Sequence, residues 1–180
     1  MRSTDSAIDS AVSSAVSSAI NNEISSEATS EIKSTMENKL DSKQLNDFAY
    51  HLPITTRWMD NDMYGHVNNV NYYSYFDTVI NQFLIEKADF DPVTSKQIGF
   101  IVKSSCEYLR PVAYPQKLTG AFKVMRVGTS SVDYAVGIFN EDNILSAIGY
   151  LTHVFVDRNT QKPMPITGKL LEAMTLATRV

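Results

Sequence analysis

The sequence predicts an α+β domain in which an antiparallel sheet wraps one long helix. Three observations carry this expectation. Residues 69–87 repeat apolar side chains at helical spacing, with Tyr72, Tyr73, Phe76, Val79, Ile80, Phe83 and Leu84 on one broad face. The segments that follow alternate in the manner of strands and are parted by turn residues. The order is a strand, a helix and then four strands, expected to run as a meander. That order suits a sheet folded over a helix, not a chain of βαβ units.

The elements follow in chain order. Residues 1–43 are rich in serine and nearly lack aromatics, unlike residues 44–180, which are long enough to bury one core. The early segment repeats in fours, with Ile8, Val12, Val16, Ile20, Ile24, Ala28, Ile32, Met36 and Leu40 in register. A four-residue step drifts by roughly 40° on a helix, so this stripe winds round the axis and cannot face a flat core. The segment reads as a disordered or transiently helical tail, or as a long helix that associates through a spiral stripe. Residues 54–59 are expected to form the first strand and residues 61–68 a loop, with Gly65 free to take an unusual backbone angle. Asn68 or Asn69 caps the helix. Residues 89–94, with Pro92, end it. Strands are expected at 100–110, 118–127, 131–139 and 144–156, with residues 128–130 making a hairpin and 141–143 a turn. A short amphipathic helix over 168–177 closes the chain. A sheet covering one helix leaves an edge open, and dimerisation by edge pairing would satisfy it.

Composition narrows the function. The formal net charge is −4 with no basic block, so no nucleic-acid footprint is present. No apolar run reaches membrane-spanning length. The N-terminus has no apolar signal core, and Asp5, Asp9, Glu23 and Glu27 do not suit an organelle transit peptide. Cys106 is the single cysteine, so neither an intrachain disulfide nor a cysteine metal knuckle can form. The three histidines lack ligand spacing, and no metal or organic cofactor is expected. These features suit a cytoplasmic protein.

Chemistry concentrates in residues 57–76, RWMDNDMYGHVNNVNYYSYF. The start of a helix offers unpaired N–H groups and the positive end of a dipole. A thioester or ester carbonyl placed there would be polarised, with the N–H of Asn69 as the candidate oxyanion donor. Asn68 and Asn69 could equally serve only as caps. Asp60 and Asp62 precede the helix, and either could act as nucleophile or as a base on water. Each could also be a turn residue that bonds its own backbone. His66 could hydrogen-bond a substrate or orient Asp62. Tyr72 and Tyr73 could line an acyl pocket, though a helix core face explains them too. His153 shares a strand face with Leu151 and Phe155 and reads as a satisfied core or interface histidine. Cys106 alternates with Ser104 and Tyr108 and reads as a packed thiol. No G-x-S-x-G elbow, P-loop or G-x-G-x-x-G run occurs.

The run RWMDNDMYGHVNNVNYYSYFDTVINQFL resembles the hotdog-fold acyl-CoA thioesterases of the 4-hydroxybenzoyl-CoA thioesterase type. CEYLRPV and VGTSSVDY resemble that family's second strand and later hairpin, and the likeness covers roughly residues 50–160. It implies a hotdog fold, a homodimer or homotetramer with sites at a subunit interface, and hydrolysis of an acyl-CoA without a cofactor. It makes Asp62 the catalytic acid, Asn69 the oxyanion donor and His66 a catalytic partner. Gly65, Asn68, Tyr72 and Tyr73 are expected to bind substrate. The plant acyl-carrier-protein thioesterases share Asp62, His66, Asn68 and Asn69, but this chain has Tyr64 where they have Asn, and Pro111 near their additional acid. A non-catalytic acyl-CoA-binding hotdog protein is the alternative from another class. A hydratase of the same fold needs D-x-N-P-x-H, and this chain has neither the Asn nor the Pro.

Overall fold

The computed structural model describes residues 43–179. Apart from Lys43, the serine-rich segment lies outside the described residues. A 3-10 turn at Leu45–Asp47 leads into β1 (Tyr50–Thr55), and a second turn at Trp58–Asp60 leads toward α1 (Asn69–Ala88). Then come β2 (Gln97–Tyr108), β3 (Lys117–Val127), β4 (Ser131–Phe139), β5 (Leu145–Asp157) and α2 (Gly168–Leu176).

The helix forms where its periodicity predicts. Asn68 caps it, its Oδ1 accepting from the Val70 N–H at 3.1 Å. Asp89 ends it in the left-handed conformation, with φ 52°. Tyr72, Tyr75, Phe76, Val79, Ile80, Phe83 and Leu84 are buried against the sheet. Tyr73 is 39% exposed and does not belong to the core face. It is turned about 100° from Tyr72, which carries it off the buried stripe, and its ring stands roughly perpendicular to that of Phe76 with centroids 5.8 Å apart. The sheet can approach closely because β5 has Gly149 under Phe76. A methyl group there would lie 2.6 Å from the Phe76 ring.

All strand pairs are antiparallel, in the order β1-β3-β4-β5-β2. The expected meander therefore holds only for β3-β4-β5. β2 crosses to the far side and pairs with β5, from Gln97 opposite Asp157 to Tyr108 opposite Ala147. The two strands are matched in length, with 12 and 13 residues, and pair along nearly their whole run. β1 begins and ends earlier than expected; its end comes where the Arg57 N–H and side chain turn back onto Asp60 and break the extended run. A second apolar cluster on the sheet's outer face joins Phe48 to Ala121, Ala135, Phe139, Leu145 and Ile148. β1 and β2 are the sheet edges, and β2 leaves Phe100, Ile101 and Val102 exposed.

Candidate active site

The site is built on the loop between Arg57 and the first turn of α1. Its two acids have different fates. Asp60 is 1% exposed. Its Oδ1 accepts from Arg57 Nε and Nη2 at 3.0 and 2.8 Å, and its Oδ2 from the Arg57 N–H at 2.7 Å and the Tyr75 hydroxyl at 2.8 Å. Burial alone would raise the Asp60 carboxyl. The Arg57 and Tyr75 bonds outweigh it and hold the group below the usual carboxylate range. Its backbone carbonyl accepts from the Asn68 N–H and from Asn71 Nδ2, both at 2.8 Å. Asp60 is thus a strut that fixes the start of α1, and it has no oxygen left for a reaction.

Asp62 is half-buried and less committed. Its Oδ1 accepts the Tyr64 N–H at 2.8 Å, a side chain closing its own turn, and its carbonyl accepts the Gly65 N–H at 3.1 Å. Its Oδ2 has no hydrogen-bond partner among the described residues. The turn needs Gly65 at φ 82°, in the region that favours glycine. It brings His66 back, with the Asp62 N–H donating to the His66 carbonyl at 2.9 Å. The loop is pinned to the segment after β2 by the Val67 N–H to the Val112 carbonyl (2.8 Å) and the Tyr114 N–H to Asn61 Oδ1 (3.0 Å).

Beside this loop lies a cleft of about 280 Å³, lined by His66, Val67, Asn69, Tyr72, Tyr108, Leu109, Arg110 and Pro111. Three expected site residues, His66, Asn69 and Tyr72, meet in it. Asp62 and Gly65 belong to the adjoining turn, Asn68 is the cap, and Tyr73 lies outside the cleft. Asn69 is the first helical residue. The capping bonds go to the N–H groups of Val70 and Asn71, so neither engages the Asn69 N–H. Two of its polar lining residues, Tyr108 and Arg110, were not among the expected site residues. The Tyr108 hydroxyl donates to the Asn69 carbonyl at 3.1 Å, and the Arg110 guanidinium reaches the Leu145 carbonyl at 3.1 Å. Tyr108 had a signal, since it alternates with Ser104 and Cys106 toward the helix side. Arg110 had none, because the crossing of β2 to β5 places it.

Other candidates fall away. Burial pushes the Cys106 thiol up, so it is packed and protonated at neutral pH. His153 is buried as expected, but it is not satisfied: both ring nitrogens, and the hydroxyl of the adjacent Tyr134, lack partners among the described residues. Aromatic rings surround it where a satisfied histidine would have carbonyls, with Tyr134 at 5.1 Å and Phe155 at 6.2 Å. Burial lowers it to about 4. Among the described residues no His, Cys, Asp and Glu cluster is placed to hold a metal, and no helix is long and apolar enough to cross a membrane.

Comparison with known proteins gives the fold a family. Residues 56–174 match the model of the thioesterase-like superfamily. The chain is 27% identical over 133 residues to the long-chain acyl-CoA thioesterase FadM of Escherichia coli, covering 73% of this chain and 94% of that one. It is 28% identical over 85 residues to YsmA of Bacillus subtilis, a match spanning 47% of this chain and 57% of YsmA. Among solved structures, PA5185 of Pseudomonas aeruginosa superposes with a TM-score of 0.72 at 42% identity, covering 74% of this chain and 94% of that one.

Proposed function

This chain belongs to the thioesterase-like superfamily, and from that premise we propose that it hydrolyses acyl-CoA thioesters with Asp62 as the catalytic carboxylate. The reaction takes an acyl-CoA and water to a carboxylic acid and free CoA. The observation that carries the assignment is the division between the two acids. Asp60 is locked by Arg57 and Tyr75, whereas Asp62 keeps an uncommitted oxygen beside His66.

The thioester carbonyl docks on the Asn69 N–H, where the helix dipole and an unused donor favour developing negative charge. Asp62 attacks the carbonyl carbon or takes a proton from an attacking water, and the thiolate leaves from the tetrahedral intermediate. His66 orients the thioester against Asp62. Gly65 leaves room for the substrate, Asn68 holds the helix start, and Tyr72 walls the acyl side.

The working unit in this reading is a cytoplasmic homodimer or homotetramer. It is supported by the free β2 edge with Phe100, Ile101 and Val102 exposed, and by Trp58, Met59, Met63 and Tyr64 standing exposed around the loop.

The test is release of free thiol from short, long and aromatic acyl-CoA esters by the wild type and by Asp62→Asn. Turnover by the wild type and its loss in the variant, with fold and oligomer unchanged, is the expected result. Equal turnover by both would overturn the role of Asp62. Intact acyl-CoA bound without turnover would favour an acyl-binding protein.

A further inference from the structure

A second cavity, of about 410 Å³, lies at the opposite end of α1 from the candidate active site. α1 runs from Asn69 to Ala88, so at about 1.5 Å per residue the two sites stand roughly 30 Å apart along the helix. The floor of the cavity is apolar, with Ala88 and Leu170 buried and Phe90 and Met164 half-buried. Its rim carries two cations, Lys96 and Lys169, whose side chains are exposed.

The walls are fixed by hydrogen bonds. On one side Asp89 turns the chain off α1, and the Asp91 carboxylate accepts the N–H groups of Val93 and Thr94 at 2.7 and 3.1 Å. That turn carries Phe90 and Lys96. On the other side the Met164 N–H donates to the Phe155 carbonyl at 3.0 Å, and the Ile166 N–H to the Thr129 carbonyl at 2.8 Å. Gln97 ties the two sides, its Nε2 donating to the Pro165 carbonyl at 2.6 Å. A pre-formed hollow with an apolar floor and a few convergent polar groups is the form that small-molecule sites take.

The rim sets the charge of the ligand. An ammonium has three donors. Lys169 gives one to Asp89, in a pair exposed on both sides and therefore weak. Lys96 Nζ lies 3.7 Å from Asp157 Oδ2, beyond hydrogen-bond length. Both lysines thus keep donors for an incoming anion. Asp89 and Asp157 stand close by and would repel a second negative charge, so a single carboxylate suits the rim better than a phosphate. A cavity of about 150 Å³ holds one benzene ring, so this one admits an alkyl chain on the order of ten carbons.

We infer that this cavity binds an amphiphilic carboxylate, its chain over Phe90, Met164 and Leu170 and its head between Lys96 and Lys169. The inference goes beyond the hydrolysis proposed above and does not depend on it. Under the acyl-CoA reading, the ligand belongs to the class of the acid product.

The experiment titrates sodium octanoate into the full chain by calorimetry, beside octanol, which has the chain without the charge. One octanoate is expected to bind per chain, with octanol about tenfold weaker. Lys169→Glu reverses one rim charge and should weaken octanoate about tenfold. Met164→Trp fills the floor and should abolish binding, with circular dichroism unchanged. Asp62→Asn should bind octanoate as the wild type does, because the proposed catalytic carboxylate is at the other end of α1. No binding to the wild type, octanol as tight as octanoate, or an affinity that Lys169→Glu leaves unchanged each overturns the inference. Loss of binding in Asp62→Asn would place octanoate in the active site and overturn it too. The thiol-release test decides the hydrolase reading separately.

Discussion

The two ends of α1 solve the problem of buried polarity in opposite ways. At its start, polar groups fix one another: Arg57 and Tyr75 saturate Asp60, and Asp60 orders Asn68 and Asn71. Among the described residues, that scaffold leaves one carboxylate oxygen on Asp62 and the N–H of Asn69 without a structural partner. Toward its far end, Tyr134 and His153 are buried among aromatic rings and their side-chain polar atoms have no hydrogen-bond partner among the described residues. Packing alone holds them, and it exacts a desolvation cost. The contrast separates the groups proposed for chemistry from groups that are only buried. The first kind stays near water beside a rigid support, and the second does not.

The strongest way to break this comparison is Asp62→Asn. Its kcat should fall on the order of 10³-fold, the range for a lost acid-base group, with Tm unchanged. A large Tm loss would mean that Asp62 is a strut like Asp60.

Next comes acid. His153 has a folded pKa of about 4, below its ordinary 6.5. Above pH 6.5 both folded and unfolded states are neutral there, and the residue gives stability no pH dependence. Between 6.5 and 4 only the unfolded state takes the proton, so stability falls as pH falls, by about 3 kcal/mol in all. Urea midpoints measured across that window should decline in the wild type, and the decline should be shallower in His153→Leu.

A comparable effect is expected at the other end from Asn69→Pro. Proline suits the first helical position, and Asn68 already has the extended backbone that a following proline requires. The variant deletes the N–H and spares the helix, so kcat should drop about 10²-fold with circular dichroism unchanged. The smallest effect belongs to Asp60→Asn, which keeps the shape but weakens the charged bonds to Arg57. A loss of about 1–2 kcal/mol in denaturant unfolding is expected, with kcat reduced less than in Asp62→Asn.

Much of this was legible in the residues. Helical spacing located α1, and turn chemistry located the β3-β4 hairpin, because both signals are local. The place of β2 beside β5 was not legible, since strand partnership depends on long-range closure. The resemblance pointed to Asp62, but the anchoring of Asp60 was equally hidden, because it is completed by Tyr75, a residue of α1 whose hydroxyl returns to the loop once the helix has formed. Tyr73 and His153 mark the limits of periodicity. One was counted into a face it only borders, and the other was rightly buried but wrongly given partners.

Tyr108 has one further consequence. It stands at the end of the exposed edge strand, and its hydroxyl holds the carbonyl of Asn69, the residue proposed to bind the oxyanion. The strand proposed for assembly therefore also steadies the residue proposed to bind the oxyanion. In this arrangement specific activity obeys mass action: diluted below its dimer dissociation constant, the enzyme would lose turnover per subunit before it lost any of its fold.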